Sequence, residues 1–238
     1  VTTPINDDLI ETLAGFSTPS VLNGLKRLGV DPAAVQSFDR HAVHCVSPSL
    51  PPVAGFAVTR KVATRRSGPP ADAAMTARLT NQNEADMAGL PKPRILVVQN
   101  IGDWHGPVCI WGEVAAHINL ASGIRAGITN GPVRDVPEME AAGFMAFAGG
   151  VDVGGGHVDL VDVGGPVAVG GVVVEMGDLI HGDLHGVIKI PLELAAGLPD
   201  AIRRHEAIER RVIEVCRSSA FSAEALARAW HDEPEGRS

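Results

Sequence analysis

Between Arg94 and Ala148 the chain alternates strand-like and helix-like stretches at lengths that suit a parallel sheet. Arg94–Gln99 is a short continuous apolar run, as in a strand buried on both faces. Residues 112–120 read as helix, 126–129 as a short strand, 136–142 as a short helix and 144–148 as another strand. Parallel neighbours need a crossover between them, so this order predicts a βαβαβ unit. Ligands of open α/β sheets bind beyond the carboxyl ends of the strands, which directs attention to the loop after residue 129.

The flanking regions follow other rules. Asn6-Asp7-Asp8 can cap a first helix with Leu9, Ile10 and Leu13 as its apolar face. Thr18 suits the N-cap and Pro19 the first position of a second helix that Gly29 ends. Residues 42–64 are strand-like around a Pro51-Pro52 break, and 71–89 are helical. From Leu160 to Pro191, glycine pairs punctuate short Val-rich runs, predicting an antiparallel hairpin layer. The apolar segments between Gly164 and Val174 would leave exposed edges in a lone chain. After Pro191 the chain is helical to about Arg217, with Ile202, Ile208, Val212 and Val215 near one face. A short helix capped by Ser222 reaches Trp230, and the tail from Asp232 to Ser238 is expected to fray. The expectation is one α/β domain over residues 1–238, with a helical extension at 191–231.

Composition narrows the function. Twenty Lys and Arg against 28 Asp and Glu give a net charge of −8, and Tyr is absent. A nucleic-acid binder needs a clustered basic face and stacking aromatics, so that class is disfavoured. No apolar run approaches a membrane span and no signal peptide is visible, so a cytoplasmic location is expected. Cys45, Cys109 and Cys216 are odd in number and lack metal-ligand spacing, so they read as buried small hydrophobes in a reducing compartment. Arg60, Lys61, Arg65 and Arg66 form the single basic cluster and read as a solvated loop edge.

Chemistry concentrates in three places. Thr129-Asn-Gly-Pro-Val-Arg-Asp135 joins a strand to a helix; Arg134 offers a planar fork for a carboxylate or oxyanion, and Asp135 a hard oxygen ligand suited to Mg²⁺ or Mn²⁺. Gly112-Glu113 opens a helix whose Val114 and Ala115 N–H groups can take an anion, although Glu113 also simply complements the helix dipole. His157, His181 and His185 sit among acids in strand-and-turn context, where positions i and i+4 lie about 13 Å apart; backbone-bonded hairpin histidines are favoured over a closed zinc site. No phosphate-binding glycine loop and no GxSxG elbow occurs.

The stretch "WGEVAAHINLASGIRAGITNGPVRD" followed by "GFMAFAGG" resembles the regulator of ribonuclease activity A family and its enzymatic relatives, the 4-hydroxy-4-methyl-2-oxoglutarate / 4-carboxy-4-hydroxy-2-oxoadipate aldolases. The shared signature is an acid, twenty residues, then Arg-Asp; here these are Glu113, residues 114–133 and Arg134-Asp135, with Glu where Asp is usual. "FSTPSVLNGLKRLG" and "GGPVAVGGVVVEMGDLIHGDLHGVIKIP" extend the likeness, with Asn23 where Asp is common.

The resemblance implies a swivelling β/β/α domain and a homo-oligomer, trimer or dimer of trimers, with sites at subunit boundaries. It implies a divalent-metal (class II) pyruvate aldolase and oxaloacetate decarboxylase acting on a 2-oxo acid through a pyruvate enolate. Asp135 would bind the metal, with Glu113 joining directly or through water. Arg134 would stabilise the enolate, and Gly112, Val114 and Ala115 would bind substrate. No lysine lies between Glu113 and Arg134-Asp135, which disfavours a Schiff base. Other relatives are non-catalytic ribonuclease regulators, and a metal-dependent dehydratase or hydrolase on the same scaffold is a further alternative. For the distal part of an anionic substrate, Arg65, Arg66, His157, His181 and His185 are the candidates, with binding expected to strengthen below neutral pH.

Overall fold

The computed structural model describes residues 6–69, 71–102 and 106–231; the expected fraying of the tail lies outside them. Two helices open the chain, α1 (Asp7–Leu13) and α2 (Thr18–Arg27). Asn6 Oδ1 accepts from the Leu9 N–H at 3.0 Å, as its capping propensity predicts. Ser17, not Thr18, caps α2: its hydroxyl accepts from Ser20 N–H, while the Thr18 hydroxyl is committed to His181 Nδ1 at 3.1 Å. Pro19 is therefore the second helical residue.

The sheet is assembled from β1 (His44–Cys45), the 13-residue β2 (Val53–Arg65), β3 (Arg94–Asn100), β4 (Ile124–Thr129) and β6 (Met145–Ala148). Between them lie α3 (Ala73–Ala88), α4 (Glu113–Ala121), the short β5 (Pro132–Val133) and α5 (Val136–Ala141). β7 (Gly150–Val151) pairs with β5, and β8 (His157–Val163), β9 (Val167–Val169), β10 (Val172–Val174), β11 (Leu179–Asp183) and β12 (Gly186–Ile190) complete the strands. The order across the main sheet is β1-β6-β4-β3-β2-β11-β12, with β8 also on β2. β2, β3, β4 and β6 are parallel, which is the expected βαβαβ unit with one strand added. The chain is an α/β protein with an antiparallel hairpin layer and helical ends.

The length of β2 divides the molecule. Its first residues pair with β11, so that His181 faces Ala54 and Gly182 faces Val53. Its last residues pair with β8, and Arg65 faces His157. Arg60, Val98 and Thr129 form one row near the carboxyl ends of β2, β3 and β4. The two ends of β2 are thus roughly 40 Å apart along the strand.

Four sequence expectations change. The basic cluster is not a loop edge: Arg60, Lys61 and Arg65 belong to β2, where Lys61 pairs with Asp162 at 3.3 Å and Arg65 with Asp159. Opposite charge on β8 explains why a basic run tolerates a strand. The valines of β9 and β10 fold back onto their own core, with Val167, Val169, Val172 and Val174 buried and Val173 exposed. Cys45 is half-buried against the core as expected, but Cys109 is half-buried in a cavity wall and Cys216 is exposed; all three are free thiols. The final helices begin later than Pro191: a 3₁₀ segment, Leu192–Gly197, precedes α6 (Leu198–Arg217), and α7 (Ala223–His231) follows, with Ser222 Oγ accepting from Ala225 N–H. α6 crosses α2 at Gly24, where a Cβ would stand 2.8 Å from Leu198 Cδ1, so glycine permits the close approach.

Candidate functional site

The loop after β4 turns inward because three backbone segments hold it. Ile110 N–H donates to the Pro132 carbonyl at 2.8 Å and Arg134 N–H to the Trp111 carbonyl at 3.2 Å, which lays residues 110–112 beside 132–134. Asp152 N–H donates to the Val133 carbonyl at 3.0 Å and fixes the other side. The start of α4 and the Arg-Asp pair, twenty residues apart in sequence, are thereby brought into contact.

Asp135 caps this arrangement with φ 52° and ψ 42°, and among the described residues no other non-glycine has positive φ. That left-handed conformation disfavours a side-chain-bearing residue, and such outliers gather at functional sites. Its Oδ2 accepts from Glu113 N–H at 3.1 Å and lies 3.4 Å from Arg134 Nε. A Cβ on Gly112 would collide with Asp135 Oδ2 and stand 2.9 Å from Arg134 Cγ, so Gly112 is set by this packing. The Val114 and Ala115 N–H groups follow in the first turn of α4, where a helix supplies no carbonyl of its own.

These groups open onto a cavity of about 370 Å³ whose other wall is Cys109, Trp111 and the glycines 154–156. Arg134 and Asp135 keep 55 % and 38 % of their side chains exposed, so both can act on a ligand. A Cβ on Gly154 would stand 3.2 Å from Arg134 Nη1, and its φ of +83° also favours glycine. Burial, with the nearby Asp152 carboxylate adding to it, pushes the Cys109 thiol up, and its Sγ donates to the Asp152 carbonyl at 2.9 Å, so this sulfur is held as a thiol. Glu113 is exposed at the start of α4, and its side chain is not part of the cavity wall.

The candidate histidines lie elsewhere in the chain. His157 is exposed at the start of β8, at the same end of the sheet but outside the cavity wall. His181 and His185 come to the opposite end. His181 is fully buried, its Nδ1 on the Thr18 hydroxyl and its Nε2 on the Leu13 carbonyl, both at 3.1 Å. Burial pushes its pKa down, against the raised affinity for protons that an anion-binding role would need. His185 Nδ1 lies 3.1 Å from the Asp183 carboxylate. Arg65 is occupied by Asp159. The sequence reading did not single out Trp111 or the glycine run 154–156; three consecutive glycines after a strand were the available signal.

A family model described as RraA-like, Aldolase/RraA, matches residues 19–189, which takes in the whole site and most of the sheet. The chain belongs to this family. Uncharacterized protein MJ0644 of Methanocaldococcus jannaschii is 31 % identical over 121 residues, 50 % of this chain and 57 % of that protein. Protein DlpA of Legionella pneumophila is 29 % identical over 104 residues, 43 % of this chain and 17 % of that protein. The RraA-like chain thus spans little more than half of one curated relative and a sixth of the other. Among solved structures, an uncharacterized protein from Pseudomonas syringae pv. tomato superposes with a TM-score of 0.69 at 25 % identity, covering 96 % of this chain and 95 % of that one. Streptomyces coelicolor RraAS2, described as an unusual member of the RNase ES inhibitor RraA protein family, superposes at 0.66 with 21 % identity, covering 90 % and 100 %. The latter likeness is one of fold. Among the described residues no helix is long and apolar enough to cross a membrane.

Proposed function

We propose that this RraA-like protein is a divalent-metal-dependent carbon–carbon lyase that cleaves a 2-oxo acid to pyruvate and decarboxylates oxaloacetate. The observation that carries the reading is the forced convergence of Arg134, Asp135 and the α4 N-terminus on one open cavity. A ribonuclease regulator that binds through its surface has no need of a left-handed aspartate held against a helix start.

Among the described residues no cluster of three or more His, Cys, Asp or Glu could cage a metal ion. Mg²⁺ does not require one, since it retains several waters and takes one or two carboxylates. The half-exposed Asp135 carboxylate fits that demand, and the exposed Glu113 carboxylate, one residue past Gly112, can add a contact through water. A divalent cation held there supplies Lewis acidity to the keto and carboxylate oxygens of a 2-oxo acid.

The chain's own groups account for the rest. The Val114 and Ala115 amides bind the substrate C1 carboxylate at the helix start. Arg134 donates to the oxygen on C2, where negative charge collects as the C3–C4 bond breaks and its electron pair forms the enolate. In the aldol case the 4-hydroxyl gives its proton to a water oriented by Glu113 and C4 leaves as a carbonyl; with oxaloacetate C4 leaves as carbon dioxide. A water oriented by Glu113 returns a proton to C3 and gives pyruvate. The exposed apolar side chains of the cavity wall, Val114 at 73 % and Ile118 at 62 %, with Val151 and Val153 exposed just before the glycine run in sequence, support a homo-oligomer closing over it.

The test is pyruvate release from a panel of 4-hydroxy-2-oxo acids and oxaloacetate, with Mg²⁺ or Mn²⁺ and with a chelator. Metal-dependent release supports the lyase. Release from none by folded, metal-loaded protein returns the chain to the non-catalytic branch.

A further inference from the structure

The parallel ladder between β3 and β4 ends at the pair Val98–Thr129, two residues short of the end of β3. Asn100, the last residue of β3, turns its N–H and carbonyl toward β4 beyond the end of that ladder. The Asn130 carboxamide takes both. Its Oδ1 accepts from Asn100 N–H at 2.7 Å, and its Nδ2 donates to the Asn100 carbonyl at 3.0 Å. A carboxamide carries the donor and the acceptor of a peptide group, so this side chain stands in for one more residue of β4. The main chain is thereby free to leave the sheet at residue 130 and run to Arg134 and Asp135.

Both partners in that pair are anchored. Asn100 Oδ1 accepts from Thr64 N–H at 3.2 Å and from Gly102 N–H at 3.0 Å, and its Nδ2 donates to Thr64 Oγ1 at 3.1 Å, which fastens the end of β3 to the end of β2. On the other side, Gly131 N–H donates to the hydroxyl of the buried Thr129 at 3.1 Å, and Gly149 N–H donates to the Gly131 carbonyl at 3.0 Å. A Cβ on Gly149 would collide with the Asn130 carbonyl, so glycine permits the chain after β6 to press against this residue. The carboxyl ends of β2, β3, β4 and β6 are therefore joined through residues 100 and 130. The two bonds of the Asn130 carboxamide are exposed, so water can replace them at little cost in stability. Water cannot replace the direction they give to the loop.

We propose that Asn130 is a positioning residue for the Arg134-Asp135 site: its peptide-like bonds to Asn100 set the angle at which the loop leaves the sheet, and so where the Asp135 carboxylate meets the start of α4. A shift at residue 130 reaches Asp135 because the segment between them is short, contains Pro132 with its fixed φ, and ends in the left-handed Asp135. The consequence for rate rests on the lyase reading; the consequence for the place of Asp135 does not.

The test uses Asn130→Ala, which removes both bonds, and Asn130→Asp, which keeps the size and the acceptor but offers no donor to the Asn100 carbonyl. Hydrogen exchange is read by mass spectrometry on the full chain without metal or substrate. The Glu113 N–H, bonded to Asp135 Oδ2 at 3.1 Å, reports whether that carboxylate is in place. Its exchange should rise about 10-fold or more in both variants, as for loss of one hydrogen bond. The Thr18 and His185 amides, bonded to Asp183 toward the other end of β2, should keep wild-type rates. In turnover, kcat should fall by about 10- to 100-fold with KM changed less than about threefold, the penalty of a misplacement of about 1 Å. The melting temperature should stay within about 5 °C of wild type. Asn100→Ala is the structural contrast: it loses the bonds to Thr64 and Gly102 but keeps the main chain that Asn130 holds, so it should lose more in melting temperature than N130A and less in kcat. Wild-type exchange at Glu113 in both Asn130 variants would overturn the proposal. So would faster exchange spread evenly over both ends of β2, or a fall in kcat that follows melting temperature across the three variants, since either makes Asn130 structural. If the wild type releases no pyruvate, the lyase reading falls alone, and exchange at Glu113 still decides the role of Asn130.

Discussion

Two polar clusters sit toward opposite ends of β2 and each holds an aspartate, Asp183 in one and Asp135 in the other, yet their bonding differs. At the amino end, Asp183 is 3 % exposed and every contact is internal: its carboxylate takes the Thr18 N–H at 2.9 Å, the His185 N–H at 2.8 Å and the His185 ring. His181 beside it spends both ring nitrogens on Thr18 and Leu13. At the carboxyl end, Arg134 and Asp135 remain part-exposed, Asp135 holds a disfavoured backbone, and among the described residues no carboxylate pairs with Arg60. A cluster satisfied by its own chain holds the fold, whereas one with free valence is available to a ligand.

The largest effect should come from Asp135→Asn. Asparagine tolerates the left-handed conformation and keeps an acceptor for Glu113 N–H, so the fold should stand. Loss of the carboxylate should remove metal-dependent pyruvate release by at least about 10²- to 10³-fold, read beside a melting curve within a degree or two of wild type. Comparable activity would dissolve the contrast between the two clusters. Arg134→Lys comes next. A point charge cannot replace a planar fork, and kcat should fall by about 10²- to 10³-fold with KM changed less; steady-state kinetics within twofold of wild type would take Arg134 out of the site.

The opposite cluster should respond in stability instead. Asp183→Ala strands the buried Thr18 N–H, at about 1–3 kcal/mol, and removes the acceptor of the more exposed His185 N–H. Denaturant unfolding should show that loss, while kcat/KM of the folded fraction stays within twofold. The smallest effect concerns pH. Burial lowers the folded-state pKa of His181 beneath its unfolded value of about 6.5. Its contribution is complete above that value and is lost as pH falls from there toward the folded pKa. Asp183 acts lower down: burial would raise its carboxyl, but bonds from Thr18 and His185 outweigh it and depress the pKa, so its contribution goes as pH falls through the carboxylate range. Melting temperature should therefore decline below about pH 6.5, and His181→Gln should flatten the upper part of that decline.

This division explains what the sequence could reveal. The parallel unit was legible because its strands are continuous apolar runs and its helices are short, and Glu113 and Arg134-Asp135 were legible because their spacing is local and resembles a family signature. His181 was legible in part: its strand-and-turn context favours a backbone-bonded hairpin histidine, and its ring does meet the Leu13 carbonyl, but its partners, Thr18 and Leu13, lie more than 160 residues away in sequence and could not be named. The surroundings of Arg60 were hidden too. In sequence it is one of four basic residues, and only the pairing of β8 with β2 places Asp162 and Asp159 beside its neighbours. The β9–β10 valines read as exposed edges because the packing of that hairpin onto the sheet is a long-range event.

Enolate stabilisation at Arg134 and Asp135 can be read without knowing the natural substrate. Pyruvate incubated in D₂O with the protein and Mg²⁺ should exchange its methyl protons for deuterium, followed by proton NMR as loss of the methyl signal. Exchange should stop with a chelator and in D135N, fall about 10²-fold or more in R134K, and continue in D183A. Exchange that persists in D135N at the wild-type rate, or none in folded wild-type protein with bound Mg²⁺, would contradict the assignment.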